Sequence, residues 1–435
     1  MSESMTLILN EQINTLLQEL TNLCKDSQDL TFSRREFDLL SALECRDDDI
    51  KYSAIFKMDE LGKKLDEIVT RDHRFPGEET RMVRTGNGAT CFYPFNIGTS
   101  LLRLALEYKS AEAAIEWALK VLGTKAATGK FICAIWGVPV DRQIQLTAEV
   151  KIVPIEDIPY SEQKKFIMGN FNTSTVTSML DFIPPQSALI LEKLIDPYIY
   201  DPKQSDASEN DDFLKNHELF NEIITVLTVV GPRISMSSAY WFTFDDPDLE
   251  RASLGGGRGG HMHEILPSSL GDFSILNEHD AQKIVQAYLS LSEPMRAPVR
   301  VALQRLNQAQ RRRSVGDCAV EVATAFEALL GDKANNEMMH KITVRSVRLI
   351  GGTVDVRKRN AALLKKSYEV RSKLVHTGQA NPSEMISVCG QRITTAALMK
   401  EVIVLCVQVI RVIILRRSIP DWSIFDITEH NEIGD

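Results

Sequence analysis

The sequence predicts an α+β protein: a mixed α/β N-terminal region over residues 1–271, an all-α helical bundle over residues 272–418, and a short tail, 419–435. Three observations carry this reading. After Gly129 come two runs of strand character, Phe131-Ile132-Cys133-Ala134-Ile135-Trp136 and the alternating stretch Ile144 to Ile155. From about Asp272 onward helical periodicity takes over. The charge divides along similar lines: residues 296–418 hold 22 lysines and arginines against 9 acidic residues, a net of +13 in a chain whose total is −9, so the remainder carries −22.

Taken in order, the chain opens with an amphipathic helix, because Ile8, Leu9, Ile13, Leu16, Leu17 and Leu20 recur at helical spacing between Leu7 and Leu23. A second helix is expected from Ser100 to Leu122. Pro139-Val140-Asp141 forms the turn between the two strand runs. The segment Asp201 to Asp212 has too few apolar residues to pack and reads as an exposed linker or loop. Beyond it, Phe220 to Val230 and Ile234 to Phe244 are rich in β-branched and aromatic residues and are expected to be strands, with Tyr240, Trp241 and Phe242 in their core.

In the C-terminal region helices are expected at about Asp280–Leu291, Val299–Gln310, Asp317–Leu330, Asn336–Leu349, Ala361–His376 and Thr394–Arg417. Ala319, Val322, Ala323, Phe326, Leu329 and Leu330 share one face of the third, and Gly331 stops it. Gly351-Gly352, Gly378 and Pro420 supply the later stops.

Composition excludes several classes. With 435 residues, 44% hydrophobic and 25% charged, the chain is globular rather than disordered or fibrous. The seven cysteines, Cys24, Cys45, Cys91, Cys133, Cys318, Cys389 and Cys406, stand singly, without the paired spacing of a zinc knuckle or a redox motif. A reducing compartment follows. The segment Met1-Ser2-Glu3-Ser4-Met5 lacks the basic start and apolar core of an export signal, so a cytoplasmic location is expected. The most apolar stretch, Val402 to Leu415, is broken by Gln408 and Arg411 and is shorter than the ~20 residues needed to cross a bilayer, so no membrane association is expected. The basic C-terminal third can face a phosphate backbone or dock on the acidic part of its own chain; charge alone leaves both open.

Chemistry concentrates in Tyr368-Glu369-Val370-Arg371-Ser372-Lys373-Leu374-Val375-His376-Thr377-Gly378, where a permanent cation and a titratable imidazole lie close to a helix end. Leu363, Ser367, Val370 and Leu374 should face the core. Leu364, Tyr368 and Val375 flank Arg371, which should emerge from a semi-apolar rim that strengthens contacts to phosphate. Five positions separate Arg371 from His376, a splay of roughly 140° on an ideal helix. Two remedies are expected together: unwinding at His376-Thr377-Gly378, and a second copy of the chain supplying matching residues across a two-fold axis.

These residues resemble the HEPN superfamily of ribonucleases, whose hallmark is Arg, four to six residues, then His near the end of a bundle helix; Arg371 and His376 fit with four between. The order of Val322-Ala323-Thr324-Ala325-Phe326-Glu327-Ala328-Leu329-Leu330, a helix, Gly351-Gly352 and the Tyr368–His376 run is similar to the ApeA-like branch, and the resemblance covers roughly residues 272–418. The chain departs from it at Ser372, where many members carry Asn, Asp or His; a serine hydroxyl donates a hydrogen bond but is no base near neutrality.

The resemblance implies a metal-independent endoribonuclease without cofactors, acting as a homodimer through the bundle. The ribose 2′-hydroxyl attacks its neighbouring phosphate and leaves a 2′,3′-cyclic phosphate and a 5′-hydroxyl. His376 moves a proton, and Arg371 stabilises the extra charge of the transition state. Ser372 and Glu327 are expected in support, Glu327 by orienting Arg371, unless it simply lies on a solvated helix edge. Lys373, Arg345 and Arg348 are expected to meet RNA phosphates, unless each is simply a surface charge. A role as toxin or antiphage effector follows by analogy, with an antitoxin or trigger protein as a possible partner. The competing reading is a non-catalytic RNA- or protein-binding scaffold in which the bundle only dimerises.

Other features carry less. Ser253 to His263 is glycine-rich with His261 and His263 two apart, but the Walker lysine-serine pair and a third metal ligand are missing, so a loop near the RNA channel is expected. Arg311-Arg312-Arg313 reads as a nucleic-acid patch or as solvated charge. His340 has only Asn336 and Lys341 within a turn.

Overall fold

The computed structural model describes residues 2–24, 48–86, 88–161, 163–164, 167, 185–204, 209–253, 273–332 and 337–428. The glycine-rich run 254–263 lies outside them. In chain order the elements are α1 (Ser2–Cys24), α2 (Asp48–Arg71), β1 (Arg81–Arg84), β2 (Ala89–Phe92), α3 (Gly98–Tyr108) and α4 (Ala111–Gly123). Next come β3 (Ala127–Trp136), β4 (Ile144–Gln145), β5 (Val150–Pro154), β6 (Ser187–Ile195), β7 (Ile199–Tyr200), α5 (Glu209–Leu227), β8 (Met236–Phe244) and α6 (Pro247–Ser253). The C-terminal part holds α7 (Glu278–Leu289), α8 (Glu293–Arg311), α9 (Val315–Leu330), α10 (Met338–Ile350), α11 (Val354–Thr377), the hairpin β9 (Met385–Val388) and β10 (Gln391–Thr394), α12 (Thr395–Arg416) and α13 (Trp422–Phe425). Sheets and helices coexist, with helices concentrated in the C-terminal half, as an α+β chain requires.

Two compact units result, one from residues 1–130, 193–213 and 242–259, the other from 131–192, 214–241 and 260–435. In the first, the small sheet has the order β2-β1-β7 with antiparallel pairs, Val83 opposite Thr90 and Ile199. The Asp66 carboxylate accepts the Gly98 amide at 2.7 Å and so caps α3 from α2. The helix expected over 100–122 is broken in two. Lys109 takes a left-handed φ of 54°, and the Ser110 hydroxyl accepts the Ala113 amide at 3.1 Å, starting α4 afresh.

The second unit holds most of a five-stranded sheet in the order β4-β5-β6-β3-β8. Pairs β4–β5 and β5–β6 are antiparallel. Ile132, Ala134, Val153, Ala188, Ile190, Ala239 and Trp241 form its core. Tyr240, Trp241 and Phe242 are buried strand residues, as expected. The long alternating run is interrupted where the Thr147 hydroxyl accepts the amides of Glu149 and Val150 and turns β4 into β5. A larger correction concerns Phe220 to Val230, which belongs to α5 and the turn after it instead of a strand. Phe220, Ile223, Ile224 and Leu227 are all buried at i, i+3, i+4 and i+7, so packing on one helical face outweighs the β-propensity of the individual residues. Glu209 to Asp212, expected in a linker, already lie in α5.

In the helical region α9 is central, packing against α8, α10, α11 and α12. The region is not purely α: the β9–β10 hairpin stands between α11 and α12. Its turn, Cys389-Gly390, has both residues at positive φ, 48° and 81°, the geometry that two-residue hairpin turns demand. Nor do these helices form a body of their own from residue 272. Within the second unit the Leu276 amide donates to the Pro139 carbonyl, and side-chain amides of Gln282 and Asn307 donate to the carbonyls of Gln145 and Ser235. These bonds tie α7 and α8 to the sheet. Among the described residues no helix is long and apolar enough to cross a membrane.

Candidate active site

The site residues come from α9 and α11, which pack against each other. α9 starts where the Ser314 hydroxyl accepts the Asp317 amide. α11 starts where that of Thr353 accepts the Val356 amide, and it ends with Gly378 in the left-handed region, φ 71°, its amide bonded to the Leu374 carbonyl. Gly316 lets the two helices approach: a Cβ there would stand 2.7 Å from Cδ1 of Leu374. Leu363, Leu364, Ser367, Tyr368 and Val370 form the buried face of α11.

Of the two places open to Glu327, the structure puts it beside Arg371. Arg371 Nη1 stands 3.5 Å from Oε1 of Glu327 on α9, and Arg371 Cζ lies 5.7 Å from the Tyr368 ring centroid. The Tyr368 hydroxyl donates to the same Oε1 at 3.3 Å. Burial, reinforced by the Glu327 charge, pushes the Tyr368 phenol well above its ordinary pKa, so it remains a donor at neutral pH. Arg371 Nε is buried without a hydrogen-bond partner among the described residues. The side chain of Arg371 nevertheless keeps 36% of its exposure and that of Glu327 29%, so the guanidinium is oriented without being sealed. The sequence pattern pointed to Glu327 but missed the hydroxyl of Tyr368; its signal was the three-residue spacing to Arg371.

His376 is exposed on the last turn, as is Ser372. The unwinding expected at His376-Thr377-Gly378 does not occur. α11 runs on through Thr377, whose hydroxyl donates to the Lys373 carbonyl at 2.7 Å, so the splay of roughly 140° between Arg371 and His376 is retained within one chain. Val375, expected on the rim, is 67% exposed beside His376.

The three residues expected at RNA phosphates have other partners. Arg345 is buried, 1% exposed, and its guanidinium binds both Asp426 oxygens, Asp332 and the Leu330 carbonyl, with the Trp422 ring centroid 5.0 Å from its Cζ. It cannot meet a phosphate without dismantling that network; it is a structural tie for the C-terminal segment. Arg348 donates to the Thr428 carbonyl at 2.5 Å and lies over the Phe425 ring. Lys373 is exposed and paired with Glu384 at 2.7 Å. Arg312, from the arginine run, binds Glu321 together with Arg305. Part of the basic third is therefore satisfied by acids of its own unit. His340 is exposed on α10.

Among the described residues no three His, Cys, Asp or Glu side chains are grouped to hold a metal ion. No family model, no curated protein and no solved structure matches the chain.

Proposed function

We propose that this protein is a metal-independent endoribonuclease of HEPN type, acting in the cytoplasm as a toxin or antiphage effector, with Arg371 and His376 as its catalytic residues. The single observation that carries the reading is the Glu327–Arg371–Tyr368 cluster, which holds a guanidinium about a third exposed one turn and a half before an exposed imidazole. A planar fork of donors suits a phosphate gaining negative charge. The ribose 2′-oxygen bonds to phosphorus as the bond from phosphorus to the 5′-oxygen breaks. The His376 imidazole takes the 2′-hydroxyl proton and returns a proton to the leaving 5′-oxygen. DNA lacks the attacking hydroxyl.

The splay on α11 supports a two-fold dimer through the bundle, in which the guanidinium of one chain meets the imidazole of the other; the exposed Val375 beside His376 supplies apolar surface for such a contact. The same splay is what favours the second reading, a non-catalytic RNA- or protein-binding scaffold. Purified protein incubated with total cellular RNA separates them. The nuclease gives 2′,3′-cyclic phosphate ends, is unaffected by EDTA, and is abolished by Arg371→Ala or His376→Ala with folding intact. Products ending in a 3′-hydroxyl, or no cutting, overturn the nuclease reading.

A further inference from the structure

We infer that the solvent face of α11 bearing His376 is a track for a single strand of RNA, held by Lys358 and Lys365 on its way to the site; the inference rests on the ribonuclease reading above. At about 100° per residue, Lys358, Lys365, Ser372 and His376 fall within about 40° of one another around the helix. All four are exposed, and α11 is continuous beneath them. With a rise of about 1.5 Å per residue, the lysines stand ~10 Å apart along the axis and Lys365 ~16 Å before His376. Four groups are thus aligned along one straight edge: two cations, a hydroxyl donor and the proton carrier.

The ammonium groups of both lysines have no ion-pair or hydrogen-bond partner among the described residues, and it is their alignment with His376 on one helix that sets them apart from other exposed cations of the unit such as Arg392 and Lys400. Neighbouring cations of the same unit are committed: Arg359 to Glu401, Lys366 to Glu369, Lys373 to Glu384, Lys341 and Arg345 to Asp332. Glu369 shares the face, but Lys366 neutralises it at 2.8 Å. Asp355 lies at the first turn of the helix, about 60° around from Lys358. An unpaired pair of cations leading to the proton carrier suits a polyanion that enters from the N-terminal end of α11. Lysines that meet backbone phosphates position a strand without reading its sequence and release counterions as they bind.

The test uses the full chain carrying His376→Ala, so that RNA is bound uncut, and a fluorescein-labelled single-stranded RNA whose Kd is measured across a salt series. Adding Lys358→Ala and Lys365→Ala should lower the slope of log Kd against log salt by about 1.4, at about 0.7 per phosphate lost. The charge-matched control, Lys283→Ala with Arg417→Ala on exposed positions of α7 and after α12, should leave the slope in place. In the active chain the two α11 substitutions should raise KM and spare kcat. Equal slopes with and without the α11 lysines, or an equal fall in the control, overturn the track while RNA cutting by the unaltered chain still supports the nuclease. Lysine-dependent binding by a chain that cuts no RNA overturns the nuclease and leaves the track as a binding surface. Absence of any RNA binding overturns both.

Discussion

Glu327 stands 3.5 Å from Arg371 across the contact between α9 and α11, and its Oε1 atom also accepts the Tyr368 hydroxyl. One carboxylate thus fixes a guanidinium and the ring beneath it. With both members of the ion pair about a third exposed, the pair adds little to stability and its consequence is orientation. Glu327→Gln and Tyr368→Phe should each lower kcat of RNA cleavage by about three- to thirtyfold, through a misaligned Arg371, with a smaller change in KM and unchanged thermal unfolding. Loss of stability in step with activity would reduce both residues to packing.

The retained splay of α11 makes a prediction about assembly. If the guanidinium of one chain works with the imidazole of another, Arg371→Ala chains mixed with His376→Ala chains regain activity that neither has alone. Statistical exchange makes half of the dimers mixed, each with one intact pair, so the recovery should be about a quarter of the unaltered rate. No recovery after verified subunit exchange would rule out the composite site.

Ser372 occupies the position after the arginine but offers only a hydroxyl donor on an exposed turn. Ser372→Ala should therefore change kcat by less than about threefold, whereas His376→Ala abolishes cutting. A collapse with Ser372→Ala, measured on the same RNA, would restore a proton-transfer role to this position.

Arg345 should behave as a structural residue. Arg345→Ala leaves Asp426, Asp332 and the Leu330 carbonyl without their donor and should cost about 3–5 kcal/mol of unfolding free energy, measured by denaturant titration. Asp426→Ala should be strongly coupled to it in a double-mutant cycle. Additive effects would mean that the tie between α10 and the C-terminal segment is not cooperative.

Glu321 offers a pH test. Its side chain is 7% exposed, and although burial alone would raise its pKa, hydrogen bonds from Arg312 and Arg305 hold it below the ordinary carboxylate range. A depressed folded pKa contributes stability that is present above the unfolded value, about 4.3, and lost as pH falls through the folded value. Glu321→Gln should destabilise the protein at pH 7, and its deficit should shrink progressively below about pH 4. A deficit independent of pH would mean that shape, not charge, holds the α8–α9 corner.

Much of the fold was legible from residue spacing. The six C-terminal helices announce themselves through apolar periodicity and stops such as Gly331 and Gly378. Propensity alone served for the strand ending at Phe244 but failed for the β-branched run after Phe220, which is helical because four of its residues bury on one face, and the hairpin at Cys389-Gly390 lacks the usual asparagine-glycine signal. The candidate site divides in the same way. The order of Glu327, Arg371 and His376 along two helices is written in local sequence.

What the chain determined by itself was which residues are chemically able to act: a cation, an imidazole and a carboxylate near helix ends, in a region of net positive charge. Only the folded arrangement decided which of its cations remain available. Arg345, Arg348 and Lys373 look alike in sequence to Lys358 and Lys365, yet the first three meet an acid or a carbonyl brought from elsewhere in the chain. Charge is a property of a residue, whereas its neutralisation depends on distances that arise only when distant segments pack together.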